Sequence, residues 1–348
     1  MRTGGRRFIQ VVLLSVLLAA GTAAATPITT LVVTVLGSSA LDAPMVVGIA
    51  RGIFEKYGLK IQVSTAASGF QALRQVADGS AQIAGAAGTA IAQTIGQGVR
   101  LKAVVVSNGD ATGKVPTDSY VAVVARGASG IREGHLEDLR GKKVGVRRTS
   151  DFHQYLFFAL AAKGLDPVSV VTLVDTADLF GALRSGTVDA IVSPEPGASR
   201  ILRATDGAFV VQRGGGYIQF LELRVVRAEY LATHPGTMKR YTTAFAEAAQ
   251  FVRTHPDETT DIMVRQQLKG VPRELARAAV GLLHPDVRIS KVTAAAAQAG
   301  SDFAVKIGAL RQAPAFQEMF DLRILREVER EHPEFFNDLP PIPNALKL

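Results

Sequence analysis

The sequence predicts an α/β protein built as two similar lobes, each a mostly parallel sheet flanked by helices. Three observations predict it. Apolar β-type runs alternate with helical stretches through short connections, which is the pattern of parallel sheets with helices on both faces. One helix–glycine–strand element occurs twice, as FQALRQVADGSAQIAGAAG from Phe70 and as FGALRSGTVDAIVSPEP from Phe180, 110 positions apart. Two further apolar runs, Tyr120–Ala125 and Phe220–Val226, sit where the chain would pass from one lobe to the other and back.

The elements follow in order. Leu31–Leu36 is a near-continuous apolar run, as expected of a strand buried on both faces. Pro44 opens a helix carrying Met45, Val46, Ile49, Ile53 and Phe54 that ends at Tyr57-Gly58. Lys60–Val63 is a second strand, and Ala67-Ser68-Gly69 turns into a helix closed by Gly79. Gln82–Ala84 is a third strand with a small-residue loop at Gly85–Thr89, and Leu101–Val106 a fourth. The second lobe repeats the cycle: a first strand near Lys143–Val146, a helix over 152–163, a strand at Val170–Val174, the repeated element, a helix near Ala198–Ala204 and a strand at Phe209–Val211. Pro194 and Pro196 end the strand Val188–Val192 and frame Glu195 in a loop. The crossings are expected near Val123–Arg126 and Leu223–Val226. This assigns 26–124 and 225–348 to a discontinuous lobe one and 125–224 to lobe two. Helices fill the chain after Arg227, and the proline-rich tail from Pro333 should wrap the surface.

Residues 1–25 read as a secretory signal: Arg2, Arg6 and Arg7, then the apolar run Ile9–Ala20, then the small residues Ala23-Ala24-Ala25. The run is short for a membrane span. Thr22 stands where a lipid-modified cysteine would follow Leu18–Gly21, so no lipid anchor is expected. The remaining chain is long enough for two domains and should be a soluble periplasmic monomer. The formal charge of +8 falls by three with the leader, and the basic residues are scattered, so no nucleic-acid partner is expected. There is no cysteine, which removes disulfides, thiolate metal sites and cysteine nucleophiles.

Ligands of open α/β sheets bind beyond the carboxyl ends of the strands. That places Ser38, Ser39, Asp42, Ser68, Gly69, Phe70, Gly88, Thr89, Asn108 and Asp110 on one side of a cleft. Arg147, Arg148, Thr149, Ser150, Asp151, Pro194 and Glu195 fall on the other, with Tyr217 and Gln219 near the return crossing. Ser68-Gly69-Phe70, Gly88-Thr89 and Thr149-Ser150 each precede a helix. Unpaired N–H groups there suit an anionic or carbonyl-bearing ligand, although Ser and Thr at such positions also cap their own helices. One of the two arginines could clamp an anion bidentately. The acids point the other way: if two or more line the pocket, the ligand carries donors or positive charge. The six histidines show no metal or catalytic spacing, so no catalytic residue, metal or cofactor is expected.

Several pieces carry a resemblance: ARGIFEKYGL from Ala50, DLRGKKVGV from Asp138, Gly164–Pro167, Leu183–Ile191, and His234-Pro235 with the helix after it. In their order and spacing they resemble the substrate-binding proteins of ABC importers of the nitrate, sulfonate and taurine type, a group that includes thiamine-pyrimidine binders. The resemblance implies a type II periplasmic-binding-protein fold with two hinge crossings. Such a fold closes on a small organic or anionic solute (a sulfonate, a nitrate-like anion, an aromatic acid or a pyrimidine) and docks on the transmembrane subunits of a permease. Enzymes that resemble these binders use cysteine, which this chain lacks. A ligand sensor for a separate signalling partner, or an enzyme without cysteine using His153, Asp151 or Glu195, are the other readings.

Overall fold

A computed structural model describes residues 28–37 and 39–348. The proposed leader and Ser38 lie outside the described residues. Two five-stranded sheets organise the chain. The first contains β1 (Thr29–Leu36), β2 (Leu59–Ala66), β3 (Ile83–Ala87), β4 (Leu101–Asn108) and β10 (Glu222–Arg227) in the order β2-β1-β3-β10-β4. The second contains β5 (Val121–Ala125), β6 (Lys143–Val146), β7 (Thr172–Asp175), β8 (Ala190–Pro194) and β9 (Phe209–Arg213) in the order β7-β6-β8-β5-β9.

The two orders are the same pattern. In each sheet three parallel strands are followed by one antiparallel strand that the chain inserts next to the third. The twin helix–glycine–strand elements supply that third strand in both lobes. Gly79 ends its helix at φ 87° and Gly186 lies just beyond its helix at φ 73°, left-handed conformations that a side chain disfavours. Both lobes therefore present the loop after the third strand, Gly88-Thr89 and Glu195–Gly197, at corresponding heights.

The crossings fall elsewhere than expected. β5 pairs with β8 and β9 and belongs wholly to the second sheet, so the chain leaves lobe one before Val121 and not at Val123–Arg126. β10 lies wholly in the first sheet, so the return is complete by Glu222. An apolar run shows that a strand is buried without showing which sheet it joins.

The helices are α1 (Ala43–Ala50), α2 (Ile53–Lys56), α3 (Gly69–Asp78), α4 (Gly88–Gly96), α5 (Asp151–Ala162), α6 (Leu179–Arg184) and α7 (Gly197–Ala204). After the return come α8 (Ala228–Thr233), α9 (Pro235–Thr254), α10 (Pro256–Gln266), α11 (Arg273–Gly281), α12 (Lys291–Lys306), α13 (Phe316–Met319) and α14 (Arg323–Glu331). α9 lays Met238, Tyr241, Phe245, Ala248 and Val252 against α1 and α2, the face expected from their helical spacing. α12 packs on α4 and reaches α5. The tail is pinned where Arg253 bonds Asp338 and the Phe335 carbonyl. No helix among the described residues is long and apolar enough to cross a membrane.

β10 is the least ordinary strand. It runs between β3 and β4 with Glu222 to Val226 all buried, yet two of these buried residues, Glu222 and Arg224, are charged. Arg224 is 0% exposed and its Nη2 donates to Asp42 Oδ1 at 2.8 Å and to Ser107 Oγ at 3.0 Å. The neighbouring Gly85 on β3 makes room for both charged groups. A Cβ there would sit 2.5 Å from Arg224 Nη1 and 2.8 Å from Glu222 Oε1. Gly85→Ala is therefore expected to destabilise the protein by about 1–3 kcal/mol, the usual cost of overpacking. Denaturant titration measures it, and an unchanged midpoint would show that the two side chains give way freely.

Candidate functional site

The strands' carboxyl ends in both lobes face a cleft of about 710 Å³. Four helices begin at its walls, α3 and α4 from lobe one and α5 and α7 from lobe two. Their first N–H groups give the cleft a partial positive character. Arg147, Arg148 and Arg200 add charge on the lobe-two wall. Phe152 and Phe220 form an aromatic shelf, stacked at 5.8 Å with 13° between the rings.

Hydrogen bonds cross between the lobes at the cleft. Thr89, at the start of α4, donates from its hydroxyl to Asp151 Oδ1, and its N–H points to the same oxygen at 3.4 Å. Gln93 Nε2 donates to the Thr149 carbonyl at 3.0 Å, and Arg147 Nη1 donates to the Ala67 carbonyl at 2.6 Å. Burial raises the Asp151 carboxyl from 3.8 to about 6, with the Thr89 bonds working against the shift.

Of the residues expected at the site, Ser39, Ser68, Gly69, Phe70, Thr89, Arg147, Arg148, Ser150, Asp151, Pro194 and Glu195 line the cleft. Several are also committed to the protein. Ser68 caps α3 by accepting from Gln71 N–H, and Ser150 caps α5 by accepting from His153 N–H. Glu195 accepts from the Ser199 N–H and hydroxyl at 3.1 and 3.0 Å and pairs with Arg213 at 2.5 Å. Its charge is spent on α7 and Arg213.

Seven expected residues, Asp42, Gly88, Asn108, Asp110, Thr149, Tyr217 and Gln219, lie off the cleft lining. Asp110 accepts from the Thr112 and Val115 N–H groups, and Gln219 borders a separate groove. Asp42 is 0% exposed beneath it, with Oδ1 taken by Arg224 and Oδ2 by the Leu36 N–H and Gln267. Asn108 is equally buried and accepts from the His284 N–H at 2.8 Å. Gly88 faces α12, where a Cβ would lie 3.6 Å from Ala297 Cα. Thr149 spends its carbonyl on Gln93 and its N–H on His153 Nδ1. Tyr217 packs edge-on against Tyr155 and borders a different groove, with Gln154, Phe158 and Lys291. His153 is likewise outside the cleft lining. Burial and the nearby Arg148 lower it to about 4, the state of a neutral ring packed edge-on against Phe303.

Sequence reasoning missed Glu222 and Arg200. Glu222 lines the cleft from β10, is 2% exposed, and its Oε1 has no hydrogen-bond partner. The signal was present in FLELRVV from Phe220: charged residues inside an apolar strand cannot all be solvated, and buried charge is rare without a partner or purpose. Among the described residues no group of His, Cys, Asp and Glu could hold a metal ion.

Two α/β lobes facing a cleft at their strands' carboxyl ends make a fold of the periplasmic-binding-protein class. The chain belongs to the NMT1-like family, whose model matches residues 37–266. Solved structures share the fold at low identity. The alkanesulfonate-binding protein SsuA from Xanthomonas axonopodis pv. citri, solved with MOPS, is 20% identical with a TM-score of 0.69, covering 84% of this chain and 96% of its own. The periplasmic nitrate-binding protein NrtA from Synechocystis PCC 6803 is 14% identical with a TM-score of 0.70, covering 90% and 92%. The desulfurization enzyme DSZB is 19% identical with a TM-score of 0.60, covering 87% and 99%. No curated protein matches the chain.

Proposed function

We propose that this protein is the solute-binding component of an ABC importer, working as a monomer on the outer side of the cytoplasmic membrane. It closes its lobes on a small organic or anionic solute and delivers it to the permease. The observation that carries this reading is the interlobe cleft, bridged by Thr89–Asp151 and Arg147–Ala67 and fed by four helix N-termini. The solved neighbours SsuA and NrtA support it, as does the signal-like start of the chain. DSZB favours an enzymatic reading on the same fold. Against that, the chain offers no thiol nucleophile, and His153 lies outside the cleft lining with its Nδ1 accepting from a backbone N–H.

Native mass spectrometry of the purified protein, with a melting-temperature screen of sulfonates, nitrate, aromatic acids, amines and pyrimidines, tests the proposal. A solute at a hundred times its Kd should add about 2.7 kcal/mol of stability. It should also leave the protein chemically unchanged after long incubation. The absence of any co-purified or stabilising solute would overturn the binding reading, and conversion of the solute would establish an enzyme.

A further inference from the structure

We propose that the groove bordered by α12 and the return segment at 217–219 is a second small-molecule site, which takes a medium-chain aliphatic acid carrying an oxygen function at its far end. The carboxylate meets Lys291 at the mouth, the chain lies along α12, and the distal oxygen hydrogen-bonds the Gln154 amide. The site is separate from the cleft and does not depend on what the cleft binds.

The groove encloses about 470 Å³, within the range of small-molecule sites, and shares no lining residue with the cleft. Three parts of the chain wall it: α5 of lobe two through Gln154 and Phe158, the return segment at 217–219, and α12 of lobe one. One face of α12 is committed to the fold, with Thr293, Ala297 and Gly300 buried and the helix packed on α4. Val292, Ala295, Ala296 and Ala299 recur at helical spacing on the side that lines the groove. This stripe runs for two turns, about 11 Å, and with Phe158 and Ile218 makes the lining mainly apolar.

Two polar groups of the lining have capacity left over. Gln154 is 5% exposed, yet its side-chain amide makes no hydrogen bond among the described residues. The other amide of the lining, Gln219, accepts from Thr117 and donates to the Val115 carbonyl. A buried amide without a partner is costly, so it persists where something else completes it. Lys291 is the one charged residue of the lining. It is exposed, and its ammonium gives one N–H to the Ala345 carbonyl at 3.1 Å, which leaves donors for an anion. It also stands in the first turn of α12, where the helix's own N–H groups favour negative charge.

The two groups flank the stripe. A Cβ on Gly300 would lie 3.7 Å from Gln154 Oε1, so the amide sits beside the later part of the stripe. Lys291 is at its beginning, about 13 Å away along the helix axis. An apolar chain of that reach, with an acid at one end and a hydroxyl or carbonyl at the other, matches the stripe and both polar groups. Because the walls come from both lobes, occupancy is linked to the lobe arrangement.

Calorimetry with 8-hydroxyoctanoate, octanoate and 1,8-octanediol tests this on wild type, Gln154→Leu, Lys291→Gln, Ala295→Phe and Arg200→Ala. Ala295 is exposed, so Ala295→Phe fills the groove without disturbing the core, and its melting temperature checks that it folds. Wild type should bind 8-hydroxyoctanoate about three- to tenfold more tightly than octanoate, the worth of one neutral hydrogen bond, and Gln154→Leu should erase the difference. The diol should bind about two- to fivefold more weakly than the hydroxy acid, the worth of an exposed ion pair, and Lys291→Gln should erase that difference. Ala295→Phe should abolish binding of all three, and Arg200→Ala, which alters the cleft, should leave their affinities unchanged. Absence of binding to wild type, binding that survives Ala295→Phe, or binding lost in Arg200→Ala would overturn the site. Equal affinity for octanoate and 8-hydroxyoctanoate, or for the diol and the acid, would overturn the ligand class.

Discussion

Replacing Asp42 by Asn is expected to destabilise the protein by about 3–5 kcal/mol, the largest single effect foreseen here. Asp42 and Arg224 are both 0% exposed and 2.8 Å apart. Removing one charge leaves the other in a medium that cannot solvate it. The Arg224 guanidinium would then keep a neutral amide oxygen, Ser107 and the ring of Phe245, with Glu222 the remaining acid nearby and its Nε and Nη1 already unpartnered. The same carboxylate holds the Leu36 N–H and Gln267, so the loss spreads to the end of β1. The double variant Asp42→Leu with Arg224→Met should recover part of the loss, because it removes both charges together. Urea unfolding midpoints measure both. A cost for Asp42→Asn below about 1 kcal/mol would show that the pair contributes little.

The second expected effect is a fall in stability as pH rises from about 4 to 8. Burial, with Asp42 nearby, pushes the Glu222 carboxyl from 4.5 to about 8, with Arg224 opposing the shift, and burial raises Asp151 from 3.8 to about 6. Both groups bind protons more tightly folded than unfolded. Their contribution is full below the unfolded values near 4. It is lost as pH rises through about 6 for Asp151 and about 8 for Glu222. Each proton gives a slope of up to about 1.4 kcal/mol per pH unit, so the combined loss is several kcal/mol. Asp138, held at about 2 by Arg132, titrates below this window. His153, lowered from 6.5 to about 4 by burial, works the other way between those values and offsets the Asp151 part, so the net fall is carried by Glu222. Glu222→Gln should flatten the melting curve between pH 6 and 8, and Asp151→Asn between pH 4 and 6. A melting temperature that climbs between pH 5 and 8 in wild type would contradict the assignment.

Much of the fold was legible because it is written twice. The repeated helix–glycine–strand element predicted two lobes, and it occupies the third strand of each sheet. Strand direction was not legible. β5 and β10 run antiparallel to their neighbours, and an apolar run looks the same either way. The loops before α3 and α5 were legible from Ser68 and Ser150, because a cap residue announces a helix start at the carboxyl end of a strand. Thr149 was not: a β-branched residue at φ 61° is uncommon, and nothing in its type foretells it. Tyr217 misled because aromatic character was weighed and direction was not. After Gly214–Gly216, all three at positive φ, its ring is packed against Tyr155. Glu222 was overlooked for the opposite reason: it sits inside a strand, where the search for ligand contacts favoured loops.

The insertion of β10 has a consequence for how the protein is made. β3 and β4 are not bonded to each other, and the space between them is filled by a strand more than a hundred residues further along the chain. The first sheet stays split until the whole second lobe has been synthesised. Pairings so distant in sequence form slowly, because loop closure precedes any reward. A nascent chain of this kind remains threadable for longer than one built from local hairpins. That suits a protein whose amino-terminal residues resemble an export signal, since passage through a membrane pore requires an unfolded chain. The strand that carries Glu222 is thus also the strand that completes the first sheet.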